Sequence, residues 1–357
     1  MTQRVLLYGA NGYTGREIAA ALAQTDLVLA GRTPDRVRAI ADQLGLPWRA
    51  FDLADAAGVD AALADIGVVL HAAGPFEETA TPMLKGCLRT GAHYLDLGGE
   101  WPVFLDLMDA DADAKAAGIM VMPGIGLTIV ATDCLLAMAA KRWPDTMRLR
   151  LGISRAQVIT RGSVESASRL VSPDVLIRRS GRLEHAPAGR LAHAFDFGEG
   201  LVETAAMSWA DVVTGEFTTG VSDIEVYSEL GVAGRGAYRA AALGMRLGGA
   251  DLWRRAGHAM AAAWPAGPSD ETREGCRFVM VVEALDAWRR PRRLSMSTFD
   301  GYTTSVITAA AAVRRVLDGS HRSGFQTPAR VFGPEFILET GAGWLEERKG
   351  ARVGAAA

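Results

Sequence analysis

Three glycines near the start of the chain have a spacing that can hold a phosphate. They lie in the run Gly9-Ala-Asn-Gly12-Tyr-Thr-Gly15, between an apolar stretch and an Ala-rich one. In a strand-turn-helix unit, the first glycine makes the turn and the second lets backbone amides approach a pyrophosphate, while the third allows close packing of the helix. The amino terminus of that helix faces the phosphate with N–H groups and a positive dipole. We therefore expect Asn11, Tyr13 and Thr14 to contact a dinucleotide together with the three glycines.

Arg32 and Thr33 follow the second predicted strand, where such a fold meets the adenine ribose. A site for NAD usually has Asp or Glu here, whose carboxylate accepts a hydrogen bond from the 2′-hydroxyl. This chain has Arg32 instead, 17 residues after Gly15. Because a guanidinium can pair with a 2′-phosphate and stack on adenine, the pattern predicts NADP(H). A solvated surface arginine is the alternative.

Two further segments follow predicted strands and could contact the cofactor. Asp52 ends the third strand, where a carboxylate can meet the adenine amino group. The fourth strand leads into Ala73, Gly74, Pro75 and Phe76, where small residues would let the backbone lie against the nicotinamide ribose. For both segments, a purely structural strand end is an alternative of equal weight.

Hydride transfer also needs a group that gives or takes a proton. The candidates near the carboxyl ends of predicted strands are His71, Tyr94, Asp96, Glu100 and Asp133, and we assign the catalytic role to the last four. The alternatives are packing for Tyr94, a turn-forming aspartate for Asp96 and a helix start for Glu100. A short-chain reductase mechanism is disfavoured because no tyrosine is followed by a lysine four residues later.

The elements that would position these residues alternate between strand and helix over the first 130 residues. Strands are predicted at 4–9, 27–31, 48–52, 68–72, 94–97 and 119–122, with helices at 15–23, 34–44, 56–64, 81–90 and 102–117. This alternation is typical of a doubly wound parallel sheet of the Rossmann type. Longer strands with alternating polarity at 147–153, 192–197, 221–227 and 278–285, with helices at 234–264 and 304–317, indicate a second α+β domain with a mainly antiparallel sheet. We expect an NADP-binding domain over 1–130, to which 325–357 returns, and a substrate-binding and dimerisation domain over 131–324.

Composition excludes several other classes of protein. A chain of 357 residues with 49% hydrophobic and 22% charged residues is globular and long enough for about two domains. Its net charge of −3 argues against an electrostatic nucleic-acid binder. Three scattered cysteines suggest neither a disulfide framework nor a zinc site, so we expect no metal and a reducing, cytoplasmic location.

Two stretches invite a membrane interpretation. The apolar run between Lys115 and Lys141 is divided by Pro123-Gly124-Ile125-Gly126 into two pieces, each too short to span a bilayer. The predicted helix at 234–264 carries five arginines and one aspartate, so it could touch a membrane surface. We favour the alternative that it covers the pocket or forms a dimer contact.

In its motifs the chain resembles the saccharopine dehydrogenase-like oxidoreductases, in the bacterial branch related to trans-acting enoyl reductases. The segments that carry the resemblance lie at 9–16, 73–76, 93–100, 126–133, 160–163, 208–212, 267–269, 301–302 and 324–329. The resemblance implies an NADP-binding domain, a second domain covering the nicotinamide, and hydride transfer at a C=C or C=N bond of a small or lipid-like substrate. The chain departs from the family pattern at Thr128 and Ala131, where relatives have Asp and Pro, whereas Asp133 matches the pattern. Thr128 motivates the alternative function of a non-catalytic NADP-binding sensor or partner subunit.

Overall fold

The chain folds around two β-sheets. In the computed structural model, the described residues are 4–155, 172–248, 263, 273 and 275–346. The first part alternates strand and helix, in the order β1 (Val5–Tyr8), α1 (Tyr13–Ala21), β2 (Leu27–Gly31), α2 (Pro34–Leu44), β3 (Trp48–Ala50), α3 (Ala56–Leu63), β4 (Val68–His71), α4 (Phe76–Thr90), β5 (His93–Asp96), α5 (Trp101–Asp109), α6 (Asp111–Ala116), β6 (Met120–Met122) and α7 (Leu127–Arg142). The helix predicted at 102–117 is therefore two helices, α5 and α6, which meet at Ala110.

The second part of the chain is richer in strands. It contains β7 (Arg148–Ile153), β8 (Asp174–Arg179), β9 (Arg182–Pro187), β10 (Ala192–Asp196), β11 (Leu201–Ala206), α8 (Asp211–Thr219), β12 (Asp223–Glu229), α9 (Gly231–Gly248), β13 (Arg277–Leu285), β14 (Pro291–Phe299), α10 (Gly301–Leu317), β15 (Gly324–Phe325), α11 (Pro328–Phe332), α12 (Phe336–Glu339) and β16 (Gly343–Leu345). Of the helix predicted at 234–264, residues 249–262 and 264 lie outside the described residues.

The first sheet is parallel throughout. Its strand order is β15-β6-β5-β4-β1-β2-β3, so six strands have the doubly wound order and β15 extends one edge. Strands such as β1, Val-Leu-Leu-Tyr, are buried along their whole length because helices cover both faces. The predicted α/β fold class is confirmed.

The second sheet has nine strands and is mostly antiparallel. Its main path is β10-β11-β12-β7-β13-β14-β16, in which β12 and β7 pair in parallel, and the β8–β9 hairpin joins at β12. The sheet curls, since Phe195 of β10 lies against Gly152 of β7, three strands further along. A Cβ added at Gly152 would be 2.5 Å from the Phe195 ring, so only glycine allows this approach.

The two sheets share one core. Buried side chains of the first sheet, of α7 and α10, and of β7 and β13 form a continuous hydrophobic cluster. The last two strands belong to different sheets, because β15 pairs with β6 whereas β16 pairs with β14. The proposed domain boundaries stay a prediction. Among the described residues, no helix combines the length and the apolar character needed to cross a membrane.

Candidate active site

The residues predicted to bind a dinucleotide lie at the carboxyl ends of four neighbouring strands. The strands β4, β1, β2 and β3 are adjacent and parallel, so the turns that follow them meet at one edge of the sheet. These turns, with the first residues of the helices that follow them, hold Gly9, Asn11, Gly12, Tyr13, Thr14 and Gly15 after β1, Arg32 and Thr33 after β2, Asp52 after β3, and Ala73, Gly74, Pro75 and Phe76 after β4. Open parallel sheets bind their ligands at this edge.

The glycine turn leaves no room for a side chain at Gly9 or Gly15. Gly9 has a φ of +95°, and a Cβ added there would lie 2.8 Å from the backbone of Ala72 and Ala73. At Gly15, an added Cβ would lie 2.2 Å from the carbonyl oxygen of Gly9. Helix α1 begins directly after Gly12 without a hydrogen bond from a capping side chain. The turn therefore offers backbone amides at a helix amino terminus, in a cradle that fits the pyrophosphate of a dinucleotide.

Arg32 and Thr33 are exposed beside this cradle. The turns after β1 and β2 touch, since a Cβ at Gly31 would lie 3.0 Å from Oδ1 of Asn11. Among the described residues, Arg32 has no hydrogen bond or ion pair. The pKa of Tyr8 is raised to about 12, mainly by burial. The charge of Asp52 adds to this shift in pKa, and the charge of Arg32 opposes it. Arg32 and Asp52 therefore lie near one another at the end of the sheet where an adenine ribose would bind.

The turn after β4 is supported by a buried network. Thr79 in α4 donates a hydrogen bond from its hydroxyl to the carbonyl oxygen of Ala73, at 2.8 Å, and lies 2.9 Å from Nε2 of His71. His71 is fully buried, and burial lowers its pKa to about 3, so the ring is neutral. The network holds the backbone from Ala73 to Phe76 in place.

Tyr94 and Asp96 form a buried pair in β5. The Tyr94 hydroxyl donates to Oδ2 of Asp96 at 2.6 Å. The other carboxylate oxygen accepts hydrogen bonds from the amides of Gly98, at 2.8 Å, and Gly124, at 2.9 Å. Burial raises the pKa of Asp96 to about 6 and that of Tyr94 well above its usual value. Asp96 thus joins the turn after β5 to the turn after β6.

Glu100 lies on the turn after β5, directly before α5. Its side chain is buried, and Oε2 accepts a hydrogen bond from the amide of Gly99 at 2.9 Å. Unlike Tyr94 and Asp96, it belongs to the turn rather than to a strand.

Asp133 lies within α7 and joins three elements. Its Oδ1 accepts a hydrogen bond from the Thr218 hydroxyl of α8 at 2.6 Å, and its Oδ2 accepts one from the amide of Ala329 in α11 at 2.7 Å. Burial raises its pKa to about 6. The structure therefore brings Asp133 together with the second domain and the returning segment, and not with Tyr94 and Asp96.

Asp211, at the start of α8, is an acid to which the sequence assigned no role. It is fully buried near Asp133, and neither of its carboxylate oxygens has a hydrogen-bond partner of normal geometry among the described residues. Burial raises its pKa to about 8, and the negative charge of Asp133 adds to the shift, although Thr132 opposes it. The side chain is therefore neutral at pH 7. It lies in the motif at 208–212, so its presence was visible but its burial was not.

Helix α10 covers the glycine turn from the second part of the chain. The ring of Tyr302 meets that of Tyr13 edge-on, with centroids 5.3 Å apart. The Ser305 hydroxyl accepts a hydrogen bond from the amide of Leu127, at 3.0 Å, and so caps α7. Arg273 forms an ion pair with Glu17 of α1 at 3.0 Å. Of Tyr302, Ser305 and Arg273, only Tyr302 lies in a motif noted in the sequence. The contacts of Ser305 and Arg273 join distant parts of the chain, so no local pattern reveals them.

A comparison with protein families agrees with this geometry. Residues 5–122 match the family model described as the saccharopine dehydrogenase NADP binding domain. The matched residues span the parallel sheet from β1 to β6. The resemblance inferred from the motifs is thereby confirmed. Two segments that carried it, 160–163 and 267–269, lie outside the described residues, as does the Thr128 side chain.

Curated relatives of this domain are named as reductases or oxidoreductases. The trans-acting enoyl reductase of Mycobacterium ulcerans is 34% identical over 139 residues, which are 36% of this chain and 33% of that protein. The human saccharopine dehydrogenase-like oxidoreductase is 26% identical over 152 residues, or 36% of this chain and 35% of that protein. The chain thus matches about a third of the length of each.

Solved structures share the whole two-sheet architecture. Apo saccharopine dehydrogenase (L-Glu forming) from Saccharomyces cerevisiae superposes with a TM-score of 0.63 at 15% identity, covering 96% of this chain and 100% of that one. Homospermidine synthase from Legionella pneumophila, solved in complex with NAD, gives 0.65 at 8% identity, covering 100% and 95%. At these identities the likeness concerns the fold.

Proposed function

We propose that the protein is an NADP(H)-dependent oxidoreductase that transfers a hydride to a C=C or C=N bond of a small or lipid-like substrate. The observation that carries the proposal is the glycine cradle, in which a Cβ at Gly9 or Gly15 would collide with backbone. A turn with no room for a Cβ at these two positions, ending at a helix without a capping side chain, suits a pyrophosphate. The named activities of the relatives support the enzyme over a non-catalytic sensor.

The chain's own residues would divide the work along the sheet edge. The amides at the start of α1, with Asn11, Tyr13 and Thr14, would bind the pyrophosphate, while Arg32 and Thr33 would bind the 2′-phosphate. The turn from Ala73 to Phe76 would support the nicotinamide ribose. When bound, the cofactor would supply or accept the hydride, and the protein would position the reacting carbons and handle the proton.

The proton-transfer candidates differ in their contacts. Tyr94 and Asp96 are sealed from solvent and bonded to each other, so we propose that they position the turns after β5 and β6. Asp133 accepts hydrogen bonds from α8 and α11, so a structural role suits it better than proton transfer. Glu100 is the one candidate that lies on the turn itself, and we retain it for the proton step.

Cofactor titration tests the proposal. We expect the wild-type protein to quench or shift NADPH fluorescence at micromolar protein and to prefer NADPH over NADH. Replacing Arg32 by Asp should weaken NADPH binding by about 100-fold, because charge-assisted bonds to the phosphate are lost and a repulsive carboxylate appears. NADH binding should stay the same. Arg36→Asp, at an exposed position on α2, is the matched control.

Two outcomes would contradict these assignments. Equal losses for NADPH and NADH in Arg32→Asp would remove the 2′-phosphate role, and no binding of either nucleotide would remove the proposed function. Transfer of deuterium from labelled NADPH to a compound in a metabolite extract would establish turnover.

We also propose a cytoplasmic location and a homodimer. The dimer is testable by light scattering.

A further inference from the structure

A cleft of about 380 Å³ opens between the start of α10 and the start of β13. Its described lining includes Arg273, Cys276, Arg277, Phe299, Asp300 and Thr303. The volume is that of a small-molecule pocket. We propose that this cleft is the substrate pocket and that Arg273 and Arg277 bind an anionic group of the substrate, a carboxylate or a phosphate. The inference rests on the oxidoreductase function proposed above.

The cleft adjoins the edge where the cofactor would bind. Tyr302 lies in the chain between the lining residues Asp300 and Thr303, and its ring packs on Tyr13 at the glycine turn. On the other side, a Cβ at Gly301 would lie 3.2 Å from the side chain of Leu127, the first residue after the turn that follows β6. The first turn of α10 therefore bridges the ends of β1 and β6, so a substrate in the cleft lies next to the crevice used by dinucleotides in this fold.

The two arginines are held by neighbouring groups. The Nη1 of Arg273 lies 3.0 Å from the Glu17 carboxylate, and its guanidinium stands over the Tyr13 ring at 5.8 Å. The guanidinium of Arg277 stands over the Trp344 ring at 5.3 Å. Planar guanidinium groups match carboxylate and phosphate oxygens in pairs, and a side chain already ordered by stacking loses less entropy on binding.

The acid in the described lining, Asp300, is directed towards the helix that follows it. Asp300 is only 3% exposed, and its Oδ1 accepts hydrogen bonds from the amides of Tyr302 and Thr303. Its charge thus faces the amino end of α10, where the helix dipole favours it. Phe299, which is 41% exposed, adds an apolar flank. The cleft therefore suits an anion attached to an apolar or aromatic body.

A matched pair of probes tests the inference. We would titrate 3-phenylpropanoate and its neutral amide, 3-phenylpropanamide, into the full chain by calorimetry, with and without NADPH. The carboxylate should bind at least tenfold more tightly than the amide. Arg277→Gln should abolish this preference, Arg277→Lys should restore part of it, and Arg290→Gln should leave it intact. Arg290 is a suitable control because it is exposed and pairs with Asp286 at the β13–β14 turn.

The outcomes separate this inference from the proposed function. Equal binding of both probes, binding of neither, or a preference that survives in Arg277→Gln would overturn the anion site, whatever the result with NADPH. A carboxylate preference lost in Arg277→Gln would support it even in a protein that failed to bind NADPH. Thermal unfolding of each variant checks that the chain is folded.

Discussion

Replacing Asp211 by Asn should make the protein more stable at neutral pH. Asp211 is fully buried, and its pKa is raised from an ordinary value of 3.8 to about 8, mainly by burial. At pH 7 the folded protein must keep a proton that the unfolded chain releases. Roughly three pH units at about 1.4 kcal/mol each amount to a penalty of about 4 kcal/mol. Asparagine avoids this penalty, but its buried amide hydrogens cost about 1–3 kcal/mol. The expected net gain is about 2 kcal/mol.

The pH dependence gives the sharper test. A carboxyl group with a raised pKa stabilises the fold fully below pH 3.8, and this stability is lost as the pH rises towards about 8. Relative to the wild type, Asp211→Asn should therefore gain about 1.4 kcal/mol per pH unit in this window. Asp133, whose pKa burial raises to about 6, titrates in both proteins, and its negative charge contributes to the difference because it raises the pKa of Asp211.

Urea unfolding followed by circular dichroism at pH 5, 6, 7 and 8 measures this difference. The two proteins should be nearly equal at pH 5 and well separated at pH 8. Asp106→Asn, at an exposed position on α5, is the control and should show no such trend. A difference that does not grow with pH, or a variant less stable than the wild type at pH 8, would refute the argument from burial.

Three further predictions concern Gly15, Gly236 and Tyr94. Gly15→Ala should destabilise the fold by about 3 kcal/mol and abolish NADPH binding, since its Cβ would meet the carbonyl oxygen of Gly9. Gly236→Ala, in open space on α9, should instead stabilise the fold by about 1 kcal/mol. Thermal unfolding measures both glycine variants. Tyr94→Phe should cost about 1–3 kcal/mol, because Asp96 loses a buried donor. A more than 100-fold fall in kcat with unchanged NADPH affinity would identify Tyr94 as a proton donor instead.

Local chemistry made the first sheet and its turns predictable. Helix α2 begins and ends where the sequence indicates, because Pro34 suits the first turn and Gly45 adopts the left-handed conformation that ends the helix. The glycine cradle is equally local. In the second part of the chain, by contrast, the sequence did not predict β8, β9, β11, β14 or α8. The pairing of β7 with β12 and the curl at Gly152 join segments that are far apart in the chain.

The same distinction applies to the candidate site. Arg32 could be proposed as a cofactor contact from its spacing to Gly15 in the sequence, since both lie in one βαβ unit. The contacts of Asp133 with Thr218 and Ala329 span 85 and 196 residues, so no spacing rule could reveal them. The residues next to Asp211 in the sequence do not indicate that its side chain is buried. Ser305 contacts Leu127 because α10 packs against the first part of the chain, and Arg273, which precedes β13, contacts α1 through its ion pair with Glu17.

The short segment that supplies both β15 and β16 has a consequence for how the protein can be divided. Within the stretch from Gly324 to Leu345, the chain closes one edge of the first sheet and then one edge of the second. Neither half can therefore be excised as a self-sufficient fragment. A chain that ended before Gly324 would leave β6 and β14 each with an unpaired edge, the kind of edge that recruits strands from other molecules.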